Sequence, residues 1–128
     1  MQIFYLKTLL ALKEIPDSFL PFTVNLLKFV NFEEKTIFFK SSVREELMQT
    51  LNIGPARVRQ LSTGLRKAGL LKGTPDRSFF EVSDPLLIAA DGIRNYSLEK
   101  KEALYVLTVK TSGQTYTFQF PEPKKEDD

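Results

Sequence analysis

The sequence predicts an α+β fold, and three observations carry that prediction. Two short helical patterns stand on either side of a tight turn between Ser42 and Gly69. A turn-rich loop flanked by β-favouring residues follows from Leu70 to Val82. Two further β-favouring runs, ALYVLTVK and TYTFQF, lie near the C-terminus.

In chain order, the opening MQIFYLKTLLALKEIP has an apolar run interrupted by Lys7 and closed by Lys13 and Glu14, with no small-residue cleavage site behind it. That argues for an amphipathic segment packing on the core rather than for a signal peptide. Asp17 or Ser18 can cap a helix over PDSFLPFTVNLLKFV, with Pro21 in the first turn, where a missing N–H costs little. Leu20, Val24 and Leu27 form one stripe, and Phe19, Phe22, Leu26, Phe29 and Val30 widen it, so this helix is expected to be largely buried and its rings to belong to the core. Thr36 to Phe39 is a short β-favouring run.

Ser42 and Glu45 have the spacing of a capping box, and Val43, Leu47 and Leu51 recur at the interval that lines one side of a helix. Asn52 and Gly54 then flank Ile53, which suits a turn with one apolar side chain at its corner. Gly54 as N-cap, Pro55 at the first helical position and Gly69 after the last turn delimit a second helix. Its Val58, Leu61, Leu65 and Ala68 converge on one side, Ala56, Arg59, Gln60, Thr63 and Lys67 point the opposite way, and Arg57 and Arg66 flank that outer face.

Leu70 to Lys72 and Ser78 to Val82 predict two strands joined by Gly73 to Arg77, where Gly73, Pro75 and Asp76 form the turn and Lys72 and Arg77 bracket its tip. Asp84 and Pro85 can start a short helix that Asp91 and Gly92 end. Ile93 to Lys101 mixes helix-forming and β-favouring residues and carries no clear signal. A Ser-Gly turn within Thr111 to Gln114 makes the last two β runs a hairpin, with Tyr116, Phe118 and Phe120 on one face. The tail PEPKKEDD is charged, lacks apolar residues and is expected to be disordered.

Helix, turn, helix and basic-tipped hairpin occur in the order of a winged helix-turn-helix. The full expectation is therefore an α+β winged helix-turn-helix with N-terminal helices and an added C-terminal β-hairpin: one domain over residues 1–92, the hairpin extension over 93–120 and the charged tail over 121–128.

A helix lying in the major groove needs an outer face of this kind. Arg can bond guanine or phosphate, Gln can pair with adenine, and small Ala or Thr methyl groups can meet a thymine methyl. From Lys40 to Phe80 eight cations stand against three carboxylates, a net +5, whereas the whole chain is only +2. The residues expected to bind double-stranded DNA are Arg44, Ala56, Arg57, Arg59, Gln60, Thr63, Arg66, Lys67, Lys72 and Arg77. Solvation of an ordinary charged helix face is the competing explanation for the helix alone, but it does not explain the preceding helix and following hairpin.

Composition closes off other classes. With 128 residues and 42% hydrophobic content, one core with an appendage is expected. There is no Cys or His, which excludes disulfides, the usual Cys/His metal sites and His-based catalytic relays, and there is no G-x-x-x-x-G-K-[ST] phosphate loop. No catalytic residue, metal, cofactor or small-molecule substrate is expected, and the chain is not expected to be an enzyme. No run reaches the about 18 apolar residues of a membrane span, and the lack of Cys fits a reducing compartment, so a cytoplasmic location is expected. The aromatic face of the C-terminal hairpin must cover either the core or a second copy of the chain, which makes a homodimer through that hairpin a candidate.

The run from FYLKTLLAL through the Phe-rich helix, then SSVREELMQTLNIGPARVRQLSTGLRKAGLLKG and FFEVSDPLLIAADG, resembles the RepL-type replication proteins of small bacterial plasmids and related phages, over about residues 3–92. That resemblance implies sequence-specific origin binding through Arg57, Arg59, Gln60 and Thr63, without enzymatic activity in this chain. Transcriptional control is the neighbouring role, because the LRKAGLL step recurs among winged-helix regulators. The alternative from another class is a non-enzymatic interaction or structural adaptor built on the same fold.

Overall fold

The computed structural model describes residues 1–122 and is of the α+β class. In chain order it comprises α1 (Gln2–Leu12), a 3-10 turn (Asp17–Phe19), α2 (Leu20–Leu26), a second 3-10 turn (Leu27–Phe29), β1 (Val30–Asn31) and β2 (Thr36–Phe38). Next come α3 (Ser41–Leu51), α4 (Pro55–Lys67), β3 (Leu71–Gly73), β4 (Phe79–Val82), α5 (Asp84–Leu87) and a third 3-10 turn (Ile88–Ala90). β5 (Ile93–Lys101), β6 (Leu104–Thr111) and β7 (Thr115–Pro121) complete it. The strands form two antiparallel sheets, one ordered β1-β2-β4-β3 and the other β5-β6-β7.

α1 is held through one side. Tyr5, Leu6, Leu9 and Leu10 are wholly buried, while Ile3 and Phe4 stay exposed, so the helix is apolar beyond the stripe it buries. Its Tyr5 hydroxyl donates to the Pro85 carbonyl oxygen and its ring meets Tyr96 edge-on at 5.7 Å. Burial pushes the Tyr5 phenol well above its ordinary value of 10.0. Because the folded state holds this proton more tightly, its contribution to stability is complete below pH 10 and is lost as the pH rises above it. Tyr5→Phe is therefore expected to cost about 1 kcal/mol at neutral pH through the unpaired Pro85 carbonyl. The deficit should narrow in urea melts above pH 10; a constant deficit would refute the linkage.

The second segment is not one helix running to Val30. Pro21 lacks the N–H that would bond back to Asp17, and a 3-10 turn leads into α2; neither Asp17 nor Ser18 caps a helix through its side chain. At the other end the chain tightens and then extends, because Val30 and Asn31 pair with Ile37 and Thr36. Phe22 and Leu26 are nonetheless buried and the remaining rings pack against the core, as expected. β2 joins the β3–β4 hairpin, with Ile37 opposite Phe80 and Phe38 opposite Phe79.

α3 begins at Ser41, with Lys40 as its N-cap and no side-chain cap, so the Ser42–Glu45 capping box does not form. The Phe39 N–H bonds the Ser78 carbonyl and keeps the chain extended up to Lys40, which places Ser42 already inside the first turn. The helix ends as expected at Asn52, whose φ of 53° reverses the chain and lets Ile53 tuck against the core. α4 runs from the Gly54 N-cap through Pro55, and Gly69 takes φ 80° beyond its end.

The C-terminal region is a three-stranded meander rather than a hairpin. Ile93 to Lys101 forms β5 against β6, with a bulge between Ile93 and Asn95. Leu107, Val109 and Phe120 are buried in the same hydrophobic cluster as α1 and α4, so this sheet shares one core with the helices. Pro121 pairs with Leu104 and Glu122 reaches Lys100 at 2.8 Å, so order extends past the expected start of the tail at residue 121; residues 123–128 lie outside the described part. No helix among the described residues is long and apolar enough to cross a membrane.

Candidate nucleic-acid interface

α4 carries no acidic residue, and its buried side is Val58, Leu61, Ser62 and Leu65. Ser62 satisfies its hydroxyl on the Val58 carbonyl at 3.0 Å, so a polar residue on the core side costs little. The opposite crest presents Ala56, Gln60 and Lys67 exposed and Thr63 half-buried. At 13 residues α4 is about 20 Å long, enough to lie in a groove and offer several side chains to it.

The arginines divide on either side of this crest. Arg59 turns toward the hairpin, where it meets Arg44 from α3 and Arg77 from the β3–β4 loop around a cleft of about 420 Å³. Ser41, Glu45 and Phe80 also line it. Arg57 turns the other way, 5.8 Å above the Phe19 ring, and donates to Gln60 Oε1 at 3.4 Å. Gly64 makes that arrangement fit: a Cβ there would come within 2.5 Å of Phe19 Cε2.

Two further guanidiniums rest on rings, Arg44 at 5.9 Å from Phe39 and Arg66 at 5.7 Å from Phe80. A guanidinium held near an aromatic ring in this way keeps further N–H donors that can meet an anion. Arg44 also reaches Ser41 Oγ, and Arg66 reaches Thr63 Oγ1. The ion pairs among the described residues are Lys35–Asp84, Lys100–Glu122 and Lys101–Glu99, so no arginine or lysine of α3, α4 or the hairpin is in direct ion-pair contact with a described carboxylate, and Glu45 is the one acidic side chain that lines the cleft.

Of the ten expected residues, Arg44, Arg59 and Arg77 come together in the cleft, and Ala56, Gln60, Thr63 and Lys67 share the crest. Arg66 bridges the crest to Phe80, and Arg57 stands on the far side. Lys72 does not bracket a tip with Arg77. It lies opposite Glu81 in the ladder, and because the Leu71–Val82 pair beside it is buried, Lys72 points to the outer face of the sheet while Arg77 lines the cleft. Of Phe19, Phe39 and Phe80, the rings beside the arginines, Phe19 was legible only as a core aromatic and Phe39 and Phe80 only as strand residues. A Phe at that sequence distance from an Arg has no distinctive pattern.

On the same outer face Phe38 and Phe79 stack at 4.6 Å, with Lys40 5.5 Å from the Phe38 ring. No group of three or more acidic, His or Cys side chains gathers as a metal site among the described residues. No family model matches this chain, and neither a curated protein nor a solved structure is significantly similar to it.

Proposed function

We propose that this chain is a winged-helix protein that binds duplex DNA, with α4 in the major groove and the β3–β4 hairpin as the wing over the adjacent backbone. The observation that carries the reading is the cluster of Arg44, Arg59 and Arg77 beside the exposed crest of α4, with no described carboxylate paired to any of them. Phosphate contacts position such a protein, and base-edge contacts specify its site. We assign Arg44 and Arg77 to phosphates together with Arg59, which its place in the cleft moves from the base-reading set, and Ala56, Gln60 and Thr63 to base edges. The resemblance of residues 3–92 to RepL-type proteins supports a role in plasmid or phage replication initiation, with transcriptional control as the neighbouring role.

Selection of bound duplexes from a random pool, followed by salt titration, tests the reading. A defined consensus is expected, with affinity falling steeply between 50 and about 200 mM salt. Gln60→Ala is expected to cost about 1–3 kcal/mol on the selected site and to relax preference at one base pair, with the salt slope unchanged. Absence of duplex binding at low salt would shift the assignment to a non-enzymatic interaction or structural adaptor, for which exposed Phe38, stacked on Phe79, speaks.

A further inference from the structure

The β5-β6-β7 sheet has two margins, and they differ. β7 ends in Pro121, which has no N–H to offer. Among the described residues β5 is paired on one side only, to β6, and from Asn95 to Lys101 it is regular, free of proline and almost wholly exposed. A long open edge of that kind presents a row of backbone donors and acceptors to another strand.

Unburied apolar side chains stand on this strand and on the helix that meets it. Leu98 is 41% exposed at the middle of β5, and Met1, Ile3 and Phe4 at the start of α1 are each more than half exposed. α1 meets β5 at Tyr96, whose ring lies edge-on to Tyr5 and whose hydroxyl shares a hydrogen bond with Thr8, and Gln2 bonds the Ala89 carbonyl in the turn before β5. Lys13, at the other end of the helix, sits over Phe120 of β7.

We propose that β5 pairs antiparallel with β5 of a second copy of this chain, giving a two-fold dimer with a continuous six-stranded sheet. The strand is self-complementary in one register. With the axis at Leu98, that residue meets its own counterpart, Tyr96 faces Lys100 of the second copy, Ser97 faces Glu99 and Asn95 faces Lys101. Each charge then meets a polar or aromatic neighbour. An axis at Ser97 would set Lys100 against Arg94, one at Glu99 would oppose two glutamates, and one at Tyr96 would run through the bulge. An axis between residues would bring core-facing side chains against outward-facing ones.

The pairing rests on the β5 edge and not on the duplex reading, so the two fail separately. The chain has no cysteine, which makes a single introduced thiol unambiguous. Directly opposed residues have Cβ atoms about 4.5–5.5 Å apart and diagonal ones about 7–8 Å, so Leu98→Cys is expected to form a disulfide-linked dimer under mild oxidation at least about tenfold faster than Ser97→Cys. In light scattering the full chain is expected to be a dimer at micromolar concentration. Leu98→Asp, at an exposed position, should raise the dimer dissociation constant at least about tenfold, with an unchanged far-UV spectrum. A chain that stays monomeric at high concentration, an undiminished Leu98→Asp dimer, or equal cross-linking at positions 97 and 98 would overturn the proposal. A monomer that still binds duplex would leave the duplex reading standing.

Discussion

Alanine at Arg44, Arg59 and Arg77 together is expected to weaken duplex binding about a hundredfold or more at moderate salt, and to reduce the slope of log affinity against log salt by roughly 2.7. The slope is the sharper readout, since each phosphate neutralised on B-DNA contributes roughly 0.9 to it. All three side chains are exposed, and none is paired with a described carboxylate, so their charges are available to an incoming backbone. Removing them leaves the core untouched, and the melting temperature should move little beyond the small loss of the Arg44–Phe39 contact. Lys110→Ala, on the exposed side of β6, supplies a cation removed elsewhere and should change neither affinity nor slope appreciably. A triple variant with an unaltered slope would rule out the cleft as a backbone contact. Gln60→Ala should show the opposite signature, a site-specific loss at constant slope, so the two together separate positioning from reading.

α4 was legible because its signals are local: Gly54 and Pro55 open it, Gly69 closes it, and Val58, Leu61 and Leu65 repeat at helical spacing. The β3–β4 hairpin was legible for the same reason. β5 was not, because only Ile93 in it is buried, so no alternation marks it, and its Glu and Lys residues have no strand preference of their own. Its conformation comes from pairing with β6. The break after α2 has the same kind of cause, since Val30 leaves the helix to pair with Ile37. The crest of α4 could be read from periodicity, but the cleft could not: Arg44, Arg59 and Arg77 sit on three elements, and only tertiary packing brings them together. The divergence of Lys72 from Arg77 is a strand-face effect that a count of basic residues does not contain.

Leu65→Ala is expected to destabilise the fold by about 2–5 kcal/mol, a large part of the roughly 5–15 kcal/mol that holds a domain together. Leu65 is wholly buried on the core side of α4, and its carbonyl accepts the Leu70 N–H as the chain turns through Gly69 into β3. Truncation there opens a cavity under the helix that carries the crest and beside the strand that begins the hairpin. The melting temperature should fall by roughly 10–20 °C, read by circular dichroism. Leu98→Ala, at an exposed position, should stay within about 0.5 kcal/mol of the parent below the concentration at which copies associate. Duplex binding by Leu65→Ala should fall only in proportion to the unfolded fraction and recover on cooling, because every side chain proposed to face the DNA is retained. The arginine variant behaves conversely, losing affinity while its melt is preserved. A Leu65→Ala protein that melts like the parent would mean that α4 is not anchored through this residue, and the assignment of its opposite face as the reading surface would fall with it.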